Sequence, residues 1–247
     1  MTRMFDSKIL LVLAMIAPLL GTGPVGAADK PLTVVELFTS QGCSSCPPAD
    51  AFLGELARRD DLVALSEHVD YWDYIGWKDP FASPDLTKRQ HEYARLLGLR
   101  YVYTPQMVIQ GADHVTGSDR AEVLRKIAEA AALPRVAIGA RHVDDKIVVT
   151  LPAAEQAEAE TAAVWMAVFD RQHETAIKRG ENGGRTLKNF NVVRSMIRLG
   201  TWSGQALEIP AAMPEVGGRR PDGCAVIVQS LKTGRIIGAA KIAMPKS

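Results

Sequence analysis

Cysteine is scarce in this chain. Three residues, Cys43, Cys46 and Cys224, in a sequence of 247 are too few for a disulfide-held scaffold, so a hydrophobic core must carry the fold. An excess of charge of one sign is also missing. The 29 Lys and Arg stand against 28 Asp and Glu, with no basic block, which argues against nucleic acid as a partner. There is no internal repeat. No second Cys-x-x-Cys and no pair of histidines at zinc-finger spacing accompanies the first cysteine pair, so a four-ligand zinc motif is not written in the sequence. The apolar run Ile9 to Leu20 falls short of the roughly 20 residues that span a bilayer. It comes after a basic opening with Arg3 and Lys8 and precedes the small residues Val25-Gly26-Ala27. That order predicts a cleavable signal peptide over 1–27, a mature chain from near Ala28 that is secreted or periplasmic, and no stable membrane span after cleavage. In an oxidising compartment a cysteine pair can stay bonded.

The informative stretch begins at Val34. Val34-Val35-Glu36-Leu37-Phe38 is an apolar, strand-favouring run, and a polar turn leads from it to Cys43-Ser44-Ser45-Cys46. Beyond Pro47 and Pro48, the residues Phe52, Leu53, Leu56 and Ala57 recur at helical spacing. Prolines fit a helix's first turn, where the missing N–H had no partner to lose. The order is therefore strand, turn, Cys-x-x-Cys, helix. Cysteines three apart at a helix start lie within disulfide reach. The free N–H groups and the positive dipole end there would depress the Cys43 pKa and make it the more reactive thiol, and its place before the helix should leave it exposed. A structural disulfide, or half of a metal site completed by residues such as His68 or His114, stays open on these residues alone.

This arrangement resembles the thioredoxin-like superfamily. The run Val35 to Asp50, with His68-Val69-Asp70-Tyr71-Trp72-Asp73-Tyr74 and Gly180-Glu181-Asn182-Gly183-Gly184-Arg185-Thr186-Leu187, is similar to a secreted thioredoxin-like family of uncharacterised function (domain of unknown function 1223). The resemblance implies an α/β thioredoxin-like domain and a redox-active Cys43–Cys46 disulfide that needs no other cofactor. It also implies a cis-proline at Pro105, after Thr104, facing the pair. Relatives keep a buried acid in the first strand to accept a proton from the second cysteine, and Glu36 is the candidate here. It stands one residue farther from Cys43 than in those relatives, and a structural salt bridge is its alternative role.

Downstream, Leu62 to Val69 reads as a strand, and Ser83-Pro84-Asp85 opens a helix to Leu97. Tyr103 to Gly111 reads as a turn and short strand. Ser118 to Glu122 has a capping-box pattern that starts a helix to about Ala132. Past Leu133-Pro134, helical periodicity nearly vanishes. Val136 to Ala140, Lys146 to Leu151, Ala163 to Phe169, Cys224 to Gln229 and Ile236 to Ile242 read as strands. Asn191 to Gly200 fits either strand or helix, and Ala153 to Glu160 reads as a solvated turn. We expect a thioredoxin-like domain over 28–133 and a smaller mostly-β, sandwich-like domain over 134–247.

The expected function is thiol–disulfide exchange with a protein or small-molecule thiol or disulfide, Cys43 attacking and Cys46 resolving. The alternative is a copper or zinc carrier, or a partner-binding module with a static disulfide. Substrate contacts are expected from Trp72 and Asp70 in the aromatic segment, and from Glu181, Asn182 and Arg185 in the glycine-rich loop. Cys224 has no evident partner and reads as an inert buried thiol.

Overall fold

A computed structural model describes residues 31–154 and 160–243. The expected signal peptide and the middle of the Ala153 to Glu160 stretch lie outside them. The chain forms a mixed α/β fold dominated by one large sheet. The first half runs β1 (Thr33–Thr39), α1 (Pro47–Leu56), β2 (Leu62–His68), a single 3-10 turn (Asp73–Ile75), α2 (Pro84–Leu96), β3 (Gln106–Ile109), β4 (Asp113–Thr116) and α3 (Arg120–Ala131). The second adds β5 (Gly139–Val143), β6 (Lys146–Leu151), β7 (Ala162–Ala176), β8 (Thr186–Trp202), β9 (Leu207–Ala212), β10 (Gly223–Ser230) and β11 (Ile236–Ala243).

Local chemistry explains the helix ends. Pro47 and Pro48 occupy the first turn of α1, where a missing N–H costs nothing. Ser83 caps α2, its Oγ accepting from the Asp85 N–H at 3.2 Å. At α3 the capping residue is Asp119, whose carboxylate accepts from the Glu122 N–H at 3.1 Å.

The boundary at Leu133-Pro134 marks a change of texture, since all three helices precede it and none comes after it among the described residues. It does not divide the sheet. Eight strands are ordered β11-β10-β7-β8-β2-β1-β3-β4, and β2 joins β8 in parallel at Ser66 and Val192. One sheet therefore runs through both halves. The reason is the length of β8, 17 residues, which pairs with β7 along one edge and still offers its other edge to β2. Val35, Leu37, Phe52, Leu53 and Ile127 form a core within the first half, and Ile147, Val164, Met166, Trp202 and Val226 one within the second. A third core unites Val34, Val63 and Leu65 with Phe169, Val193 and Ile227. Contact across the halves is close: a Cβ on Gly54 of α1 would stand 2.5 Å from the Phe190 ring of β8. The remaining strands form a small sheet, β5-β6-β9, whose Ile147 and Val149 pack into the second-half core.

Strand parity positions the site. Successive residues of a strand point to opposite faces. Val35 and Leu37 of β1 pack with Phe52 and Leu53 of α1. Phe38 packs with Tyr93 of α2 on the other face.

Candidate functional site

Cys43 and Cys46 form a disulfide, their Cα atoms 5.5 Å apart. The turn after β1 folds back on itself, with the Cys43 N–H donating to the Ser40 carbonyl at 3.1 Å and the Cys46 N–H to the Cys43 carbonyl at 3.3 Å. Cys46 is the capping residue just before the first helical position of α1, not a residue of its first turn, so the helix begins one step later than the sequence predicts. The expected exposure of Cys43 is corrected, because Cys43 is 1% exposed and Cys46 is 0%. Only Ser44 and Ser45 between them face solvent.

The cover is the glycine-rich loop. β7 and β8 form a long hairpin whose last register pair is Ala176 and Thr186, and its tip reaches over from the second half. Asn182, 1% exposed, donates from Nδ2 to the carbonyls of Gln41 at 3.0 Å and Cys43 at 2.9 Å. The Ser44 N–H donates to Glu181 Oε2 at 3.2 Å. Arg185 donates from Nη1 to Asn182 Oδ1 at 2.8 Å, so its guanidinium braces the asparagine. All three loop residues singled out in the sequence therefore gather at the cysteine turn.

Trp72 stands on another side of it. A Cβ on Gly42 would lie 3.1 Å from the Trp72 Cβ, and the indole N–H donates to Thr104 Oγ1 at 2.8 Å. The Thr104–Pro105 peptide is cis. Pro105 and Ala49 of α1 both border Gly117, which sets the proline loop against the helix start. Asp70 takes a different part: its Oδ1 accepts from the Thr87 hydroxyl of α2 at 2.6 Å, which fixes the aromatic segment to α2.

Glu36 does not serve the cysteines. It lies on the α2 face of β1, where Arg89 donates to it from Nε at 2.6 Å and Tyr93 donates its hydroxyl. Burial would raise its pKa, yet the Arg89 guanidinium brings it below the usual range. The one-residue displacement noted in the sequence is decisive, since an odd shift along a strand moves a side chain to the opposite face. The acid on the cysteine face is Asp50, one turn after Cys46 on α1. Its N–H donates to the Cys46 carbonyl at 3.1 Å and its Oδ1 accepts from the Thr39 hydroxyl at 2.9 Å. Burial pushes its carboxyl up to about 7, against the pull of His68 and Thr39.

Over residues 34–229 the chain matches the model of a family described as proteins of unknown function, DUF1223. The chain belongs to this family. Among solved structures, this DUF1223 chain is similar to the crystal structure of an Agrobacterium tumefaciens structural-genomics target, at 32% identity and TM-score 0.76, covering 89% of this chain and 98% of that one. It shares a fold with HBP35 of Porphyromonas gingivalis at 12% identity and TM-score 0.58, covering 88% and 76% of the two chains. No curated protein matches it.

The DUF1223 site also holds a polar network whose members carry no shared signal in the sequence. Gln41 donates from its backbone N–H to Asp79 Oδ2 at 2.7 Å, and from Nε2 to Thr175 and Asn189 at 3.1 and 3.0 Å. Trp77 donates its indole N–H to Gln41 Oε1 at 3.2 Å. His68 Nδ1 lies 2.7 Å from Asp79 Oδ2, both side chains fully buried. Burial opposes a charged imidazole there, but Asp79 and then Asp50 outweigh it and raise the His68 pKa. Asp79, although burial acts against it, is held below its usual range by His68. The network ties β1, the aromatic segment and the β7–β8 hairpin together beneath the disulfide. Its members are single polar residues scattered over 149 positions from Gln41 to Asn189, so only tertiary structure reveals them. Cys224 is buried and free, and burial pushes its thiol up to about 12. Among the described residues no group of three or more His, Cys, Asp or Glu is set to hold a metal ion, and no helix is long and apolar enough to cross a membrane.

Proposed function

We propose that this protein exchanges disulfides with a thiol-bearing partner through Cys43 and Cys46. The observation that carries the reading is the closed pair at the start of α1, with the Thr104–Pro105 loop and Trp72 on one side and buried Asp50 behind it. The order β1-α1-β2-α2-β3-β4-α3, with β1 parallel to β2 and antiparallel to β3, supports a thioredoxin-like first half. A partner thiolate attacks Cys43 Sγ, the sulfur–sulfur bond breaks, and Cys46 leaves as a thiolate that takes up a proton. A second partner thiol then attacks the mixed disulfide, which releases an oxidised partner and a reduced pair. The reverse sequence oxidises the pair. Asp50, with a carboxyl titrating near neutrality, is the group placed to exchange that proton, the role expected of Glu36. Access requires the Asn182 loop to lift.

The burial of both sulfurs favours a second reading, a static disulfide in a partner-binding module. One experiment separates them. Cys46→Ala should accumulate mixed disulfides with partners from a periplasmic or secreted extract, and Cys43→Ala should not. In the reduced wild type Cys43 should react first with an alkylating agent near neutral pH. If neither variant traps a partner and both thiols titrate near pH 8.5, as roughly expected of an ordinary cysteine, the exchange reading falls and the static one stands.

A further inference from the structure

The opposite face of the large sheet carries a second concave site, unrelated to the disulfide. A cavity of about 350 Å³ opens between α2 and the strands β7 and β10, near the lower end of the roughly 300–1,000 Å³ of small-molecule sites. Its polar residues are unusually well held. Arg89 is buried and fixed by three hydrogen bonds, from Nε to Glu36 at 2.6 Å, from Nη1 to Gln229 at 3.1 Å and from Nη2 to the Tyr93 hydroxyl at 2.9 Å. A guanidinium has five N–H donors, so one on each terminal nitrogen remains for a ligand. Such orientation is what recognition of a planar anion requires.

Charge decides the sign of the occupant. Glu67 also faces Arg89, at 3.6 Å, but burial and the neighbouring Glu36 charge raise its pKa well above the usual range and so favour its neutral form. Arg89 and Glu36 therefore cancel as one ion pair. The mouth carries Lys88, Arg95 and Arg198, all exposed, against a single carboxylate, Glu92. Between mouth and floor the lining includes the apolar side chains Leu96, Ala163 and Leu231 and the ring of Trp165. This tryptophan is half-buried on a sheet face where Ala167 and Ala225 are fully covered, and its ring lies 5.9 Å from the Arg89 guanidinium. A flat ring can stack there while its acidic group meets the cations.

We propose that this cavity binds a small organic anion with a flat, aromatic body, its carboxylate or sulfonate directed to Arg89 and the basic mouth and its ring laid on Trp165. The site rests on residues of α2, β7, β8 and β10 and is independent of the exchange reading.

Isothermal titration calorimetry with 2-naphthoate, and with neutral 2-naphthamide, tests this on the full mature chain. Naphthoate should bind saturably at one site, more tightly than the amide, and more weakly as salt rises. Arg198→Ala and Trp165→Leu should each weaken it by about tenfold or more, the loss of a single charged or stacking contact. Both leave Arg89 and its hydrogen-bond partners Glu36, Gln229 and Tyr93 in place, and thermal unfolding checks that the variants fold. The double variant Cys43→Ser/Cys46→Ser should bind as the wild type does. No saturable naphthoate binding up to its solubility limit would overturn the proposal. So would equal affinity for the amide, or wild-type affinity in both folded variants.

Discussion

The sealed disulfide makes Asn182→Ala the most informative perturbation. Asn182 gives two hydrogen bonds to the cysteine turn, at 3.0 and 2.9 Å, and both ends are buried. A buried hydrogen bond contributes about 1 kcal/mol net. Lifting the loop breaks both, so their loss should lower the opening free energy by about 2 kcal/mol and raise the open population roughly 30-fold. The Glu181 contact to Ser44 is exposed and should add little. Reduction of the disulfide by excess phosphine under native conditions, then alkylation and mass spectrometry, reads that population. The variant should be reduced about 30-fold faster, since about 1.4 kcal/mol corresponds to a factor of ten. Local opening exposes little surface, so the rate should barely respond to low urea, whereas reduction through global unfolding would track the full denaturant slope. An unchanged rate would refute the gating role. So would a rate that climbs with urea as steeply as unfolding does.

The buried charges support two more expected outcomes. The Asp50 carboxyl is raised from 3.8 to about 7 by burial, so the native state keeps a proton that the unfolded chain has released. Its stabilising contribution is complete below pH about 4 and declines as pH rises to about 7, by at most about 4 kcal/mol. Urea denaturation of wild type and Asp50→Asn across this range should show the difference in stability moving by several kcal/mol; a constant difference would contradict the burial argument. On the other face, Arg89→Met strands Glu36 without its cation and should cost about 3–5 kcal/mol. Glu36→Gln/Arg89→Met should recover part of that loss in the same assay, and strictly additive costs would show that the two side chains do not form a working pair.

The parts of the fold that are legible in the sequence carry local signals. The order strand, Cys-x-x-Cys, prolines, helix is such a signal. So are the Ser83 cap and the glycine-rich loop between strands, which does come to the cysteine turn. What escapes depends on pairings between distant segments. β7 continues past Phe169 through Asp170, Arg171 and Gln172, polar residues that read as a turn until β8 pairs with them. β9 contains Pro210, a strand breaker by sequence, tolerated because β9 lies at the edge of the small sheet. The strand expected over Val136 to Ala140 is displaced to β5, Gly139–Val143, a shift that its pairing with β6 sets. Asp50, in a helix's first turn, looks like an ordinary partner of the dipole; only packing against Thr39 and the hairpin buries it.

The same geometry changes what the second half is for. Read from composition alone, residues 134–247 are a β domain attached to the half that bears the cysteines. In the structure the hairpin β7–β8 supplies Asn182 above the disulfide, Asn189 and Thr175 beside Gln41, and Phe190 against Gly54 of α1. Those residues close the site from above and below, while β8 extends the sheet that carries β1. The first half alone would present an open pair at a helix start, with the amide of Gln41 losing Thr175 and Asn189. Burial of the disulfide is therefore a property of the whole chain. Any partner that reaches Cys43 must displace the second half's loop to do so, and that requirement can discriminate between partners before chemistry begins.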